Sequence, residues 1–120
     1  MMKELLSLRV PLGSDILTTV RLATGGVCSL AGLGLDESED CKVCVTESLL
    51  LLLHGGCKTA RIEFVRDEKL KVLLRGEGDG ASEESVEEEI SVALLSALVD
   101  DLEMQKEENV TRISFGFGTL

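Results

Sequence analysis

The chain has 120 residues, room for one domain (1–120) around one core. Twelve Lys/Arg against 22 Asp/Glu leave a net charge of −10, which excludes general affinity for nucleic-acid phosphates and for anionic membrane surfaces. Hydrophobic residues make up 44%, too many for a disordered acidic tail, while three Phe and no Trp or Tyr exclude an aromatic base-stacking platform and leave Leu, Val, Ile and Ala to build the core.

Residues 3–10 set Leu6, Leu8 and Val10 against Ser7 and Arg9, the period of a strand, which Pro11 and Gly13 close. Lys3, Glu4 and Arg9 charge this opening segment, and no small-residue cleavage site follows. The expectation is therefore a cytoplasmic protein. Ser14 and Asp15 supply a cap signal for a first helix, in which Ile16, Leu17, Val20, Leu22, Ala23, Val27, Leu30 and Ala31 recur near every 3.6 residues. Gly25-Gly26 inside it lower helix propensity by about 1 kcal/mol each relative to Ala. They point to close packing or to a break.

A second helix opens at Leu35–Asp40, with Asp36 as the expected cap, Glu39 three residues on, and acids that suit the positive end of the helix dipole. Its body, Cys41–His54, is apolar nearly all round and stops at Gly55-Gly56, so it is expected to be covered on more than one side. The run Leu49–Leu53 is far too short to cross a bilayer. Thr59–Arg66 and Lys69–Arg75 alternate as the arms of a hairpin, followed by a Gly-rich acidic loop over Gly76–Glu84. Glu84–Asp101 reads as a third helix with Val86, Ile90, Ala93, Leu94, Ala97 and Leu98 on one stripe. Leu102–Lys106 and Val110–Phe117 read as closing strands around a turn at Glu107–Asn109. The order β-α-α-β-β-α-β-β implies an α+β two-layer sandwich: a mixed, mostly antiparallel sheet with helices on one face.

Cysteines stand at 28, 41, 44 and 57. In a reducing compartment they read as buried thiols. Cys41-x-x-Cys44 falls inside a helix rather than at its N-terminus, where a redox pair would sit. Zinc would need two further ligands, for which Cys57 and His54 are poorly placed, so no metal is expected.

The element order and three segments resemble the bacterial anti-sigma factor serine/threonine kinases, within the ATPase family shared by histidine kinases, gyrase B, Hsp90 and MutL. The segments are Val10-Pro11 leading to Val20-Arg21, the acid-rich run Asp36–Glu47, and Leu94–Glu103 followed by a terminal hairpin. The resemblance implies the histidine-kinase-like fold, with Glu47 as the general base and Arg21 as a residue gripping a protein partner. It also implies a homodimer, which the apolar excess fits.

The departures from that family are equally specific. The Mg²⁺-binding Asn expected one turn after Glu47 is Leu51, or Leu50 counted back from His54-Gly55, and neither offers the oxygen that Mg²⁺ requires. The Asp-x-Gly-x-Gly that holds adenine corresponds to Gly76-Glu77-Gly78-Asp79-Gly80, with Gly76 at the Asp position. The Gly-rich lid is replaced by Ala81–Glu89, and no Lys or Arg lies between Gly76 and Asp101. One uncompensated like-charge contact at 4 Å costs roughly 4 kcal/mol at an effective dielectric near 20, so a triphosphate against those glutamates is unfavourable.

Leu51, Gly76, Gly78 and Gly80 are therefore degenerate nucleotide-pocket positions, and ATP and Mg²⁺ are expected only if that pocket still functions. The glycine stretch also reads as a plain solvated loop. Glu47 also reads as an acid hydrogen-bonded to a nearby helix, and the acids at 83–89 as a solvated helix start.

Three functions follow. The first is an anti-sigma-factor-like regulator that binds a sigma factor or an anti-anti-sigma protein without ATP turnover. The second is an active ATP-dependent serine kinase acting on an anti-anti-sigma partner. The third is a metal or redox module built on Cys41 and Cys44.

Overall fold

A computed structural model describes residues 2–78 and 86–117, without the side chains of residues 86 and 87. The elements are β1 (Lys3–Pro11), α1 (Leu17–Leu30), α2 (Leu35–His54), β2 (Thr59–Arg66), β3 (Leu70–Glu77), α3 (Val86–Leu98), β4 (Asp100–Lys106) and β5 (Val110–Phe117). The strands form one sheet in the order β1-β2-β3-β5-β4. All four pairings are antiparallel, so the antiparallel part of the expected sheet is the whole of it. Register breaks between Glu4 and Leu6 on β1 and between Asp100 and Glu103 on β4 mark an irregularity in each edge strand.

The alternation of β3 sorts the two faces. Leu70, Val72, Leu74 and Gly76 are buried, and Lys71, Leu73, Arg75 and Glu77 are exposed. The buried side joins Ile62, Phe64 and Ile113 of neighbouring strands to Val20 of α1, Val45, Leu49 and Leu52 of α2 and Leu95 of α3. The three helices thus cover one face and leave the other bare. Apolar burial at roughly 25 cal/mol per Å² is what holds the two layers together.

α2 lies between its two neighbours, which explains its composition. Cys41, Cys44, Val45, Ser48, Leu49, Leu51 and Leu52 are buried, and Thr46, Glu47, Leu50 and Leu53 are half-buried. α1 and α2 end alike. A left-handed glycine, Gly32 at φ 76° and Gly56 at φ 85°, lets the next amide reach back into the helix. Leu33 donates to the Cys28 carbonyl at 3.0 Å and Cys57 to the Leu52 carbonyl at 2.9 Å.

Several expected boundaries move. Ser14 and Asp15 do not cap α1; Ile16 holds the cap position, with its amide donating to the Gly13 carbonyl, so a backbone turn runs directly into the helix. Gly25-Gly26 do not break α1. A Cβ on Gly25 would come within 2.9 Å of Lys42 Cε, the movable end of a long side chain, and one on Gly26 would meet nothing within 4 Å, so the pair as a whole is not closely packed either. Asp36 does not cap α2, because Gly34 does; Asp36 and Glu37 sit in the first turn, and Glu39 turns forward to pair with Lys42 at 3.0 Å.

β3 continues through Gly76 and Glu77, which the sequence assigned to a loop. α3 is shorter than expected, with Asp100 and Asp101 already in β4. The inward face of α3 is also rotated: Ser91 and Leu95 are buried with Val92 and Leu98 beside them, while Ile90 is 62% exposed and Ala93 and Ala97 face outward. No helix among the described residues is long and apolar enough to cross a membrane.

Candidate functional site

α2 carries the candidate site, and adjacent side chains on it reach in opposite directions. Thr46 Oγ1 donates to the Lys42 carbonyl at 2.8 Å and accepts from Arg21 Nη1 of α1 at 3.3 Å. Glu47 Oε2 accepts from Ser91 Oγ of α3 at 2.7 Å. The candidate base is thus engaged by a hydroxyl of the neighbouring helix. Arg21 is half-buried and cross-links α1 to α2. Together these bonds tie three helices into one layer and give Arg21, Thr46, Glu47 and Ser91 each a partner.

One turn on, Leu51 is 7% exposed and belongs to the core cluster. Its remaining surface, with Gly55, Glu88, Met104, Gln105, Lys106 and Thr111, lines a cleft of about 180 Å³. A neighbouring cleft of about 360 Å³ is walled by Glu88, Glu89, Val92, Ala93 and Met104. Among the described residues its walls contribute two carboxylates and no cation.

Gly76 lies under α2 in the strand ladder, opposite Ala60 and Thr111. A Cβ there would fall 2.7 Å from Leu52 Cδ2 and 2.8 Å from Cys57 Sγ, closer than any real contact. Gly78 is equally confined: a Cβ would meet the Gly56 carbonyl at 2.5 Å and the Cys57 Cα at 2.8 Å. Gly78 is thus required by close backbone approach, and Gly76 by the side chains of Leu52 and Cys57 packed over it. The strand–helix junction is sealed there by Lys58 N–H donating to the Glu77 carbonyl at 2.8 Å and by Gly78 N–H donating to the Asn109 carbonyl at 3.2 Å. Gly80, Asp79 and the acids at 83 and 84 lie outside the described residues.

All four cysteines are free and buried. Burial, with the charges of Asp40 and Glu47, pushes the Cys44 thiol up to about 12. Cys41 is held above the usual thiol range by its bond to Cys28 and by burial, and Cys57 is raised by burial. Within the Cys28–Cys41 pair the proton stays on Cys41. That bond, helped by Ser38 and Lys42 against burial, lowers Cys28 to about 7. Cys28 has no exposed surface, so no reagent reaches it. His54 is exposed at the end of α2, and no metal-holding group of His, Cys, Asp or Glu occurs among the described residues.

The structure therefore brings Leu51 and Gly55 to one cleft, places Gly76 and Gly78 beneath the end of α2, and puts Arg21 and Glu47 on opposite sides of α2. Sequence reasoning missed Ser91 and Thr46. The signal for Ser91 was its spacing from Leu95 and Leu98, four and seven residues on, which marks the inward face of α3.

No protein-family model matches the chain. Among curated proteins it is similar to the serine-protein kinase RsbW of Staphylococcus aureus. The strain JH9 and strain Newman proteins are each 24% identical to it over an alignment of 133 positions, covering 91% of this chain and 84% of the relative.

Proposed function

We propose, from its similarity to the serine-protein kinase RsbW, that the chain is an anti-sigma-factor-like regulator that binds a transcription-regulatory protein, a sigma factor or an anti-anti-sigma protein, without turning over ATP. The observation that carries the second half is the packing around Gly76. An aspartate at that position would have to displace Leu52 and Cys57, which fill the space its side chain would need.

Two further features support the reading. Leu51 presents a hydrocarbon side chain where Mg²⁺ needs an oxygen. The larger cleft beside α3 offers Glu89, and no Lys or Arg among the described residues, to a phosphate chain, while Lys106 lines the smaller one beside Leu51. Among the described residues, Leu51 and the packed position at Gly76 do not fit Mg-ATP. Glu47, with its carboxylate held by Ser91, acts as a tie between α2 and α3.

Thermal melting with and without millimolar Mg-ATP tests the nucleotide half. A ligand at 100 times its Kd adds about 2.7 kcal/mol of stability. We expect an unchanged Tm, and a rise of several degrees overturns the reading. A pull-down with the products of neighbouring genes tests the partner half. Recovery of a sigma factor or an anti-anti-sigma domain is expected, and failure of each such candidate to bind overturns it.

A further inference from the structure

The bare face of the sheet carries a row of arginines that nothing in the helix layer explains. Arg9 on β1 is paired in register with Arg61 on β2, Arg61 with Arg75 on β3, and Arg75 with Arg112 on β5. Gln105 on β4 completes the row opposite Arg112. All five strands thus contribute a side chain at one level, and none of the five is acidic.

Like charges directly opposite one another across strands are destabilising, yet this chain, with a net charge of −10, places a third of its 12 cations in one line. Two of the four are neutralised within the face: Arg75 Nε pairs with Glu77 at 3.3 Å and Arg112 Nη1 with Glu107 at 2.9 Å. Arg9 and Arg61 have no ion-pair partner among the described residues. Arg9, Arg61, Arg75 and Glu77 enclose a depression of about 260 Å³.

We infer that this row is a docking surface for an acidic segment of a partner protein, with Arg9 and Arg61 as its principal anchors. Strands lie about 4.8 Å apart, so four arginines span about 14 Å. An extended run of four or five Asp/Glu residues covers the same length at roughly 3.4 Å per residue. Arginine presents a planar fork that binds carboxylates in two-point fashion. The remaining acidity of the chain repels such a segment elsewhere, and at physiological ionic strength that repulsion fades beyond about 8 Å, which leaves the row as a local attractor.

The inference rests on the preceding section only in taking the partner to be a protein. The test uses the full chain and a fluorescent octaglutamate peptide, read by anisotropy at low and physiological salt. Wild type is expected to bind, with affinity falling as salt rises. Arg9→Gln combined with Arg61→Gln is expected to weaken binding at least tenfold. Lys3→Gln combined with Arg66→Gln removes the same charge at the far end of β1 and β2 and is expected to stay within twofold of wild type. All four substituted residues are exposed, and unchanged circular dichroism verifies folding.

Equal losses in the two double variants, or no binding by wild type, overturn the inference. So does displacement of the peptide by inorganic tripolyphosphate at a lower concentration than by free octaglutamate, because the row would then read phosphate. Sedimentation showing that the Arg9/Arg61 variant alone converts a dimer to a monomer also overturns it, since the occupant would be a second copy. The two proposals separate cleanly. If the double variant still captures a sigma factor as wild type does, the docking surface fails and the regulatory function stands. If the peptide binds as expected but no regulator is captured, the reverse holds.

Discussion

On the helix side of the sheet, Leu51 is buried in the core, Gly76 has Leu52 and Cys57 packed against it, and Glu47 is bonded to Ser91. On the opposite side, four arginines stand in register with two of them lacking a counter-charge. One side is given over to packing, and the other carries charge with no layer packed over it. The contrast separates two uses of one sheet: a scaffold for core on one face, and a presenting surface on the other. It predicts that substitutions on the two faces differ in size and in sign.

The largest effect is expected from Gly76→Asp. The new side chain collides with Leu52 and Cys57 and buries a carboxylate, so urea denaturation is expected to show a loss of about 4 kcal/mol. A loss below about 1 kcal/mol would mean the helix side has room to spare, and the contrast would break. Leu51→Asn is expected to cost about 2–3 kcal/mol, because an amide enters a mostly apolar site, and to leave the melting temperature insensitive to Mg-ATP. Restored nucleotide-dependent stabilisation in that variant would show the cleft to be one substitution from function.

Ser91→Ala leaves Glu47 without its donor and is expected to cost about 1–2 kcal/mol, with Glu47→Gln costing less because the amide oxygen still accepts. Equal and negligible effects of both would remove the tie between α2 and α3. The smallest effect, with the opposite sign, is expected from Arg61→Gln. Relief of like-charge pairing with Arg9 and Arg75 is expected to raise stability by up to about 0.5 kcal/mol in low salt, a gain that shrinks as salt is added.

Much of this was legible in the sequence because the strands and helices differ in period. The alternation in Thr59–Arg66 and the all-round apolarity of Cys41–His54 each have one physical solution, a half-covered strand and a sandwiched helix. What could not be read depended on atoms brought together from far along the chain. Asp36 and Glu39 have the spacing of a reciprocal cap, but Gly34 in an extended conformation takes the cap and frees Glu39 for Lys42. Ile90, Ala93 and Ala97 look inward by their apolarity, yet the Ser91–Glu47 bond and Leu95 set the rotation of α3.

The glycines at 76 and 78 look like loop residues. Their necessity comes from Leu52, Cys57 and the Gly56 carbonyl, which no local pattern shows. The arginine row is the clearest case. Arg9, Arg61, Arg75 and Arg112 are each unremarkable in sequence, and only strand order and register align them.

The irregular margins of the sheet bear on how copies of this molecule can associate. One border is interrupted near Glu4 and carries Pro11, which donates no ladder bond; the other is kinked at Asp101, with φ 54°, and lined with Asp100, Asp101 and Glu103. Neither rim offers a straight, uncharged template for another backbone to zip onto, so end-to-end growth into fibrils is disfavoured on both sides. Crowding this protein to high concentration should leave it free of cross-β stacking.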